Sequence, residues 1–180
     1  MQLLKYAATV DQRLFLKCIN SSSAKNLQTI AKYFSRSGDG FLQLSVPLLL
    51  LPFLTSQQVI FLTHIIIAFI IERSLYILLK KSLKRKRPPQ IFSGFTSIIN
   101  ASDEFSFPSG HTSAAFLLVI VISFYMPMLG LLLFMWAIAV SCSRVILGVH
   151  FPADLLAGIC LAISSAQFAQ LLLFNYLLST

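Results

Sequence analysis

Three short clusters hold residue types that can bind and attack phosphorus. The first is Lys80, six residues, then Arg87-Pro88. The second is Pro108-Ser109-Gly110-His111. The third is Ser143-Arg144, five residues, His150, three residues, Asp154. Lys80, Arg87 and Arg144 are fixed cations, and an arginine fork suits the oxygens of a phosphate. Ser109 and Gly110 precede a predicted helix, so their backbone N–H groups and the helix dipole can hold an anion. His150 and Asp154 are close enough for the carboxylate to hold one ring nitrogen, which frees the other to attack phosphorus. His111 can then protonate the leaving oxygen. Each cluster alone has a plainer reading. A basic run after an apolar helix is usually a topology anchor. A lone buried histidine is more often structural. An arginine near a helix end often snorkels. None of these readings predicts that the three clusters meet.

The elements between the clusters make them meet. The 180 residues are 57% hydrophobic and 11% charged, where a soluble domain carries about 25% charged residues. All 14 Lys and Arg fall in four places: six between Lys5 and Arg36, Arg73, six between Lys80 and Arg87, and Arg144. Residues 40–71, 105–143 and 155–180 carry no Asp, Glu, Lys or Arg. That pattern excludes a disordered chain, a coiled coil and most water-soluble enzymes. The net charge of +8 is not a nucleic-acid signal, because it is confined to the ends of apolar runs. The pattern predicts an all-α, polytopic transmembrane helix bundle. Five spans are expected, near 41–54, 59–79, 112–125, 129–147 and 152–178, or six if residues 1–38 conceal another. With five, the end of the second, the start of the third, the end of the fourth and the start of the fifth share one membrane face. The three clusters lie at those ends.

Residues 1–38 repeat apolar side chains at helical spacing with Lys17, Lys25 and Lys32 between them, which predicts one or two interfacial amphipathic helices. They are read as a segment separate from a catalytic unit at 39–180. The run Ser37-Gly38-Asp39-Gly40 breaks the helix between them. Cys18, Cys142 and Cys160 have neither disulfide nor metal spacing.

Together, Lys80-x6-Arg87-Pro88, Pro108-Ser109-Gly110-His111 and Ser143-Arg144-x5-His150-x3-Asp154 resemble the full signature of the type 2 phosphatidic acid phosphatase (PAP2) superfamily. The resemblance covers about 80–154 without gap or substitution, and Ser37-Gly38-Asp39-Gly40 resembles, more loosely, a sequence common in bacterial members. It implies a metal-independent acid phosphatase without a cofactor. His150 would be the nucleophile, forming a phosphohistidine. Asp154 would orient it, and His111 would be the general acid. Lys80, Arg87, Ser109, Gly110 and Arg144 would hold the phosphate, with Ser143 supporting the pocket. Familiar bacterial members have six spans, one more than is counted here.

Outside the motifs, Glu72 and Arg73 read equally as a pair supporting the phosphate site or as a local ion pair screened from lipid. His64 falls near the opposite face and is not expected to be catalytic. Asp103 and Glu104 read as solvated loop charges. Phe92, Phe95, Phe105 and Phe107 read as anchors of their loop in the interface, or as a lipid entrance.

The expected partner is a membrane lipid phosphate in the bilayer, with no nucleic acid and no obligate protein partner. Undecaprenyl diphosphate, phosphatidylglycerophosphate and phosphatidic acid all qualify, because the motifs read phosphate and apolar walls read any tail. A lipid phosphotransferase using the same intermediate is one alternative. A non-enzymatic lipid-binding or transport protein is another, against which His111, His150 and Asp154 argue. The expected location is the bacterial cytoplasmic membrane. Positive charge assigns the active face to the cytoplasm. Part of that charge is demanded by phosphate, however, and the resemblance implies the outer face, so both sides stay open.

Overall fold

A computed structural model describes residues 2–101 and 103–179 of the chain. The described residues form nine α-helices and no strand. The N-terminal region folds as α1 (Gln2–Ile19), α2 (Ser22–Asn26) and α3 (Gln28–Ser37). That is one helix more than the spacing suggests. The extra break is at Ser21, whose hydroxyl accepts the Ala24 N–H at 3.1 Å and caps α2. After α4 (Phe41–Leu54), a 3-10 turn, Thr55–Gln57, leads into α5 (Gln58–Leu83). A single turn, α6 (Pro88–Ile91), begins on the proline pair, since the first helical positions need no N–H. Then come α7 (Gly110–Tyr125), α8 (Pro127–Ile146) and α9 (Pro152–Ser179).

Helices α4, α5, α7, α8 and α9 coincide with the five expected apolar segments to within a few residues. Phe41–Ile91, Pro127–Ile146 and Pro152–Ser179 are long and apolar enough to cross a membrane, and Gly110–Tyr125 is a shorter apolar helix. Helix α1 is not among these stretches. Asp11, Arg13 and Lys17 interrupt its apolar residues, so no sixth span appears among the described residues.

The centre of the bundle is α7, whose Ala115, Leu117, Leu118, Val119, Val121 and Ile122 are buried. It packs against α8, α9, α5 and α4. A helix apolar on every side, as α7 is beyond its first turn, is stable only when surrounded. Helix α9 adds the fully buried Ala162, Ala166 and Ala169 to this core, and at Gly158 it lies so close to α7 that a Cβ would come within 2.8 Å of the Ser109 carbonyl oxygen. Small side chains let the two backbones approach, which replaces the hydrophobic driving force that lipid does not supply. Large apolar side chains such as Leu48, Val59, Leu131 and Leu132 remain exposed on the outside, as a lipid-facing surface requires. His64 is buried where its ring nitrogens contact the Tyr125 hydroxyl at 3.3 Å and the Ala166 carbonyl at 3.1 Å. It ties α5 to α7 and α9 and lies away from the signature residues.

The N-terminal helices are packed against the bundle, α3 on α8 and α1 on α8 and α9. Phe15 of α1 is fully buried, with ring centroids 5.8 Å from Phe92, 5.6 Å from Phe95 and 5.1 Å from Phe151. Phe92 and Phe95 thus fasten the loop after α6 to α1, and all four phenylalanines of that loop, with Phe105 and Phe107, are half-buried. Between α8 and α9 the chain turns at Gly148, with φ +78°, and a Cβ there would come within 2.6 Å of the Phe95 ring. Glycine thus serves both the left-handed backbone and the close aromatic contact.

The Ala162 contact gives a direct test. Ala162→Leu is expected to destabilise the bundle by about 1–3 kcal/mol through overpacking. The lipid-facing Leu131→Ala is expected to lie within about 0.5 kcal/mol of the parent. Reversible unfolding in detergent micelles measures both.

Candidate active site

Four helix ends converge at one end of the bundle: the C-termini of α5 and α8 and the N-termini of α7 and α9. They bring Lys80, Arg87, His111, Arg144, His150 and Asp154 into one cluster. Of these, only His111 is not buried as a whole residue.

His150 lies in the turn between α8 and α9. Its backbone N–H and that of Val149 both donate to the Arg144 carbonyl, at 3.3 and 3.1 Å. Asp154, in the first turn of α9, accepts the Phe151 N–H at 2.8 Å on Oδ2. The same oxygen lies 3.4 Å from His150 Nδ1, longer than an ordinary hydrogen bond. Arg87 Nη1 lies 3.5 Å from Nε2. Burial brings the His150 pKa down to about 4, an effect that Asp154 opposes and that Arg87 and Arg144 reinforce. The imidazole is therefore neutral at pH 7, with a lone pair on one ring nitrogen.

The cations are held in different ways. Arg87 donates from Nη1 to the Val149 carbonyl at 2.6 Å and from Nε to the Asp103 carbonyl at 3.0 Å, and its Nη2 bonds the Asp103 carboxylate. Lys80 donates to the Tyr76 hydroxyl at 2.6 Å and also pairs with the Asp103 carboxylate. Arg144 bonds the Ser35 hydroxyl of α3, and its buried Nε finds no partner among the described residues. Asp103 is thus not the solvated charge its loop position suggests. Burial by itself would raise its pKa, but hydrogen bonds from Lys80 and Tyr76 and the charges of Lys80 and Arg87 hold it below the usual carboxylate range. The cations draw the loop inward.

The second cluster is only partly as expected. The Ser109 N–H already donates to the Asp154 carbonyl at 3.0 Å, which joins α7 to α9. Among the first N–H groups of α7, those of Gly110 and His111 are left without acceptors inside the helix. At Gly110 a Cβ would come within 2.9 Å of the Tyr76 ring. His111 Nε2 lies 2.6 Å from Asp39 Oδ1. Ser143 turns its hydroxyl back to the Val140 carbonyl at 2.5 Å, within its own helix.

Glu72 is fully buried, accepts from Arg73 at 2.9 Å and from the Ser113 hydroxyl at 2.5 Å, and so links α5 to α7. Arg73 stacks on Tyr76 with its guanidinium 4.3 Å from the ring centroid. Glu72 and Arg73 thus form an ion pair whose arginine also lines a cavity beside the cluster.

A cavity of about 1160 Å³ opens beside the cluster. Its polar end is lined by Tyr76, Asp103, His111, Arg144 and His150, and its apolar wall by Phe41, Leu44, Ile65, Ile66, Phe69 and Ile70. Lys80 and Arg87 do not line it; Asp103, which binds both, does. Tyr76, Asp39, Asp103 and Ser35 are the site neighbours that the motifs do not announce. Asp39 alone had a sequence signal, in the Ser37–Gly40 run.

These features define an integral membrane protein with a cluster of buried cations and histidines at one end of an apolar bundle. The model of the PAP2 superfamily matches residues 58–176, more than half of the chain, and the chain belongs to that superfamily. It is 29% identical to the Bacitracin transport permease protein BcrC of Bacillus licheniformis over 63% of this chain and 56% of that protein. It is 28% identical to an undecaprenyl-diphosphatase of Sulfolobus acidocaldarius over 79% of this chain and 68% of that protein. The crystal structure of Aquifex aeolicus LpxE superposes with a TM-score of 0.75 at 25% identity, over 88% of this chain and 93% of that one.

The buried environment of His150 is measurable. In a histidine NMR titration, with assignment by His150→Gln, one imidazole should stay neutral as the pH falls to about 4. A His150 that titrates near 6.5, the ordinary value, would contradict that environment.

Proposed function

We propose that the protein is a lipid-phosphate phosphatase that works through a phosphohistidine. The observation that carries this reading is the seating of His150. It is buried at the polar end of a cavity, has Asp154 behind Nδ1, and has Arg87 beside Nε2. In the first step Nε2 attacks phosphorus, the bond from phosphorus to the lipid-side oxygen breaks, and His111 supplies the proton that oxygen needs. In the second step water attacks the phosphohistidine, His111 accepts its proton, and His150 leaves with inorganic phosphate released. Lys80, Arg87, Arg144 and the first N–H groups of α7 hold the phosphoryl oxygens, whose charge is the main demand of such a transfer. Because these groups supply that charge, turnover needs no metal. Ser143 acts through the packing of α8, and Glu72 through the position of Arg73.

The apolar wall from α4 and α5 supports entry of the lipid tail from the side, with its headgroup at the polar end. The substrate is a phosphate or diphosphate on a long apolar tail: undecaprenyl diphosphate, phosphatidylglycerophosphate or phosphatidic acid. The undecaprenyl-diphosphatase among the relatives supports the first of these. The membrane is the bacterial cytoplasmic membrane.

The test is phosphate release by the detergent-purified protein across that lipid panel. Activity should survive EDTA and fall by at least about 10³-fold in His150→Ala. Chelator-sensitive turnover or a fully active His150→Ala would overturn the mechanism. A related outcome concerns the loop. Phosphate competes with the Asp103 carboxylate for Lys80 and Arg87, so Asp103→Asn should lower KM several-fold. An unchanged KM would mean that the carboxylate does not compete.

A further inference from the structure

Arg85 belongs to none of the three motifs, yet its guanidinium joins two acids from distant parts of the chain. Its Nη1 donates to Asp154 Oδ1 at 2.7 Å. Its Nη2 donates to Asp11 Oδ2 at 2.5 Å. Asp11 belongs to α1, outside the residues that match the family. The other oxygen of Asp11 accepts the Ala153 N–H at 2.9 Å, so the same carboxylate also caps the start of α9. Asp154 is fully buried and Asp11 nearly so. Buried carboxylates persist only when paired and hydrogen-bonded. The Arg85 guanidinium carbon also lies over the Phe151 ring, 4.4 Å from its centroid, which limits where its fork can point.

Both oxygens of Asp154 are thereby engaged. Oδ1 belongs to Arg85, and Oδ2 is shared by the Phe151 N–H and the His150 ring. We propose that Arg85, clamped by Asp11 of α1, is the positioning residue that fixes the Asp154 carboxylate behind His150. The N-terminal helix is then part of the active site's support, and its role goes beyond an interfacial anchor. This inference rests on the His150 nucleophile proposed above.

The charges that face His150 are Asp154 from α9, Arg87 from the segment before α6, and Arg144 from α8. Arg85 acts on it through Asp154. Asp154 favours the imidazolium, and Arg85 offsets part of that field. Removing the Arg85 charge must therefore raise the pH at which His150 becomes protonated.

The experiment is the pH profile of kcat and KM for full-length Arg85→Gln, Arg85→Lys and Asp11→Asn on the lipid phosphate that the parent hydrolyses. Arg85→Gln should lower kcat by about tenfold or more, with little change in KM. Its acid limb should move up by about half a pH unit or more. Arg85→Lys keeps the charge and loses the two-sided fork, so kcat should fall while the limb stays. Asp11→Asn leaves the Arg85 charge in place, so kcat should fall without an upward shift. The loss in Asp11→Asn with Arg85→Gln should be no greater than in Arg85→Gln alone, because both act through one contact. A parent-like kcat in Arg85→Gln, or a loss with an unmoved limb, overturns the proposal. If Arg85→Gln does not fold, Arg85→Lys and Asp11→Asn decide, and parent-like kcat in both overturns it. His150→Ala separates the two levels. Full activity there removes the nucleophile itself, whereas an inactive His150→Ala beside a parent-like Arg85→Gln removes only the positioning role.

Discussion

Charge buried at the end of an apolar bundle has to be answered within a few ångströms, and this requirement organises the site. Lys80, Arg87 and Arg144 are all buried there. Neither lipid nor a dry protein interior can solvate them, so each must find an oxygen. Arg87 takes the Val149 and Asp103 carbonyls, Lys80 takes Tyr76, and both take the Asp103 carboxylate. Arg144 takes Ser35, with its Nε left over. Electrostatic demand thus pulls a loop and an N-terminal helix onto the site. A surplus of cations in a low-dielectric setting is also what a phosphoryl group needs.

The backbone serves the same end. Helix α7 is surrounded because it is apolar on nearly every side, and the small residues of α9 let the two helices come close. Their N-termini then meet, and the Ser109 N–H closes on the Asp154 carbonyl. Asp154 and the start of α7 are joined by one backbone bond. Rigid placement on helix ends is the kind of support that holds reacting groups in register.

The first 38 residues are closer to the chemistry than their composition suggests. Phe15 sits among Phe92, Phe95 and Phe151, Ser35 holds Arg144, and Asp11 holds Arg85. Just beyond them, Asp39 reaches His111. Amphipathic helices with charges between apolar positions can lie on a membrane or on a protein, and the hydrophobic pattern is the same in both cases.

The sequence by itself determined the all-α membrane class, the five apolar helices and the residues of the three motifs. These depend on local properties: apolar run length, the confinement of charge and the fixed spacing of Lys80, Arg87, His150 and Asp154. It also determined that the motifs share one face, because spans of known length alternate direction. Only the tertiary structure decided which partners those residues have. That Asp103 binds Lys80 and Arg87, that Asp39 reaches His111, that Ser143 turns into its own helix, and that Asp11 and Arg85 hold Asp154 are facts of long-range packing. An acidic residue in a loop looks the same in sequence whether water or a guanidinium receives it. The choice is made by the distance across the fold and by the cost of leaving a buried charge without its counterpart.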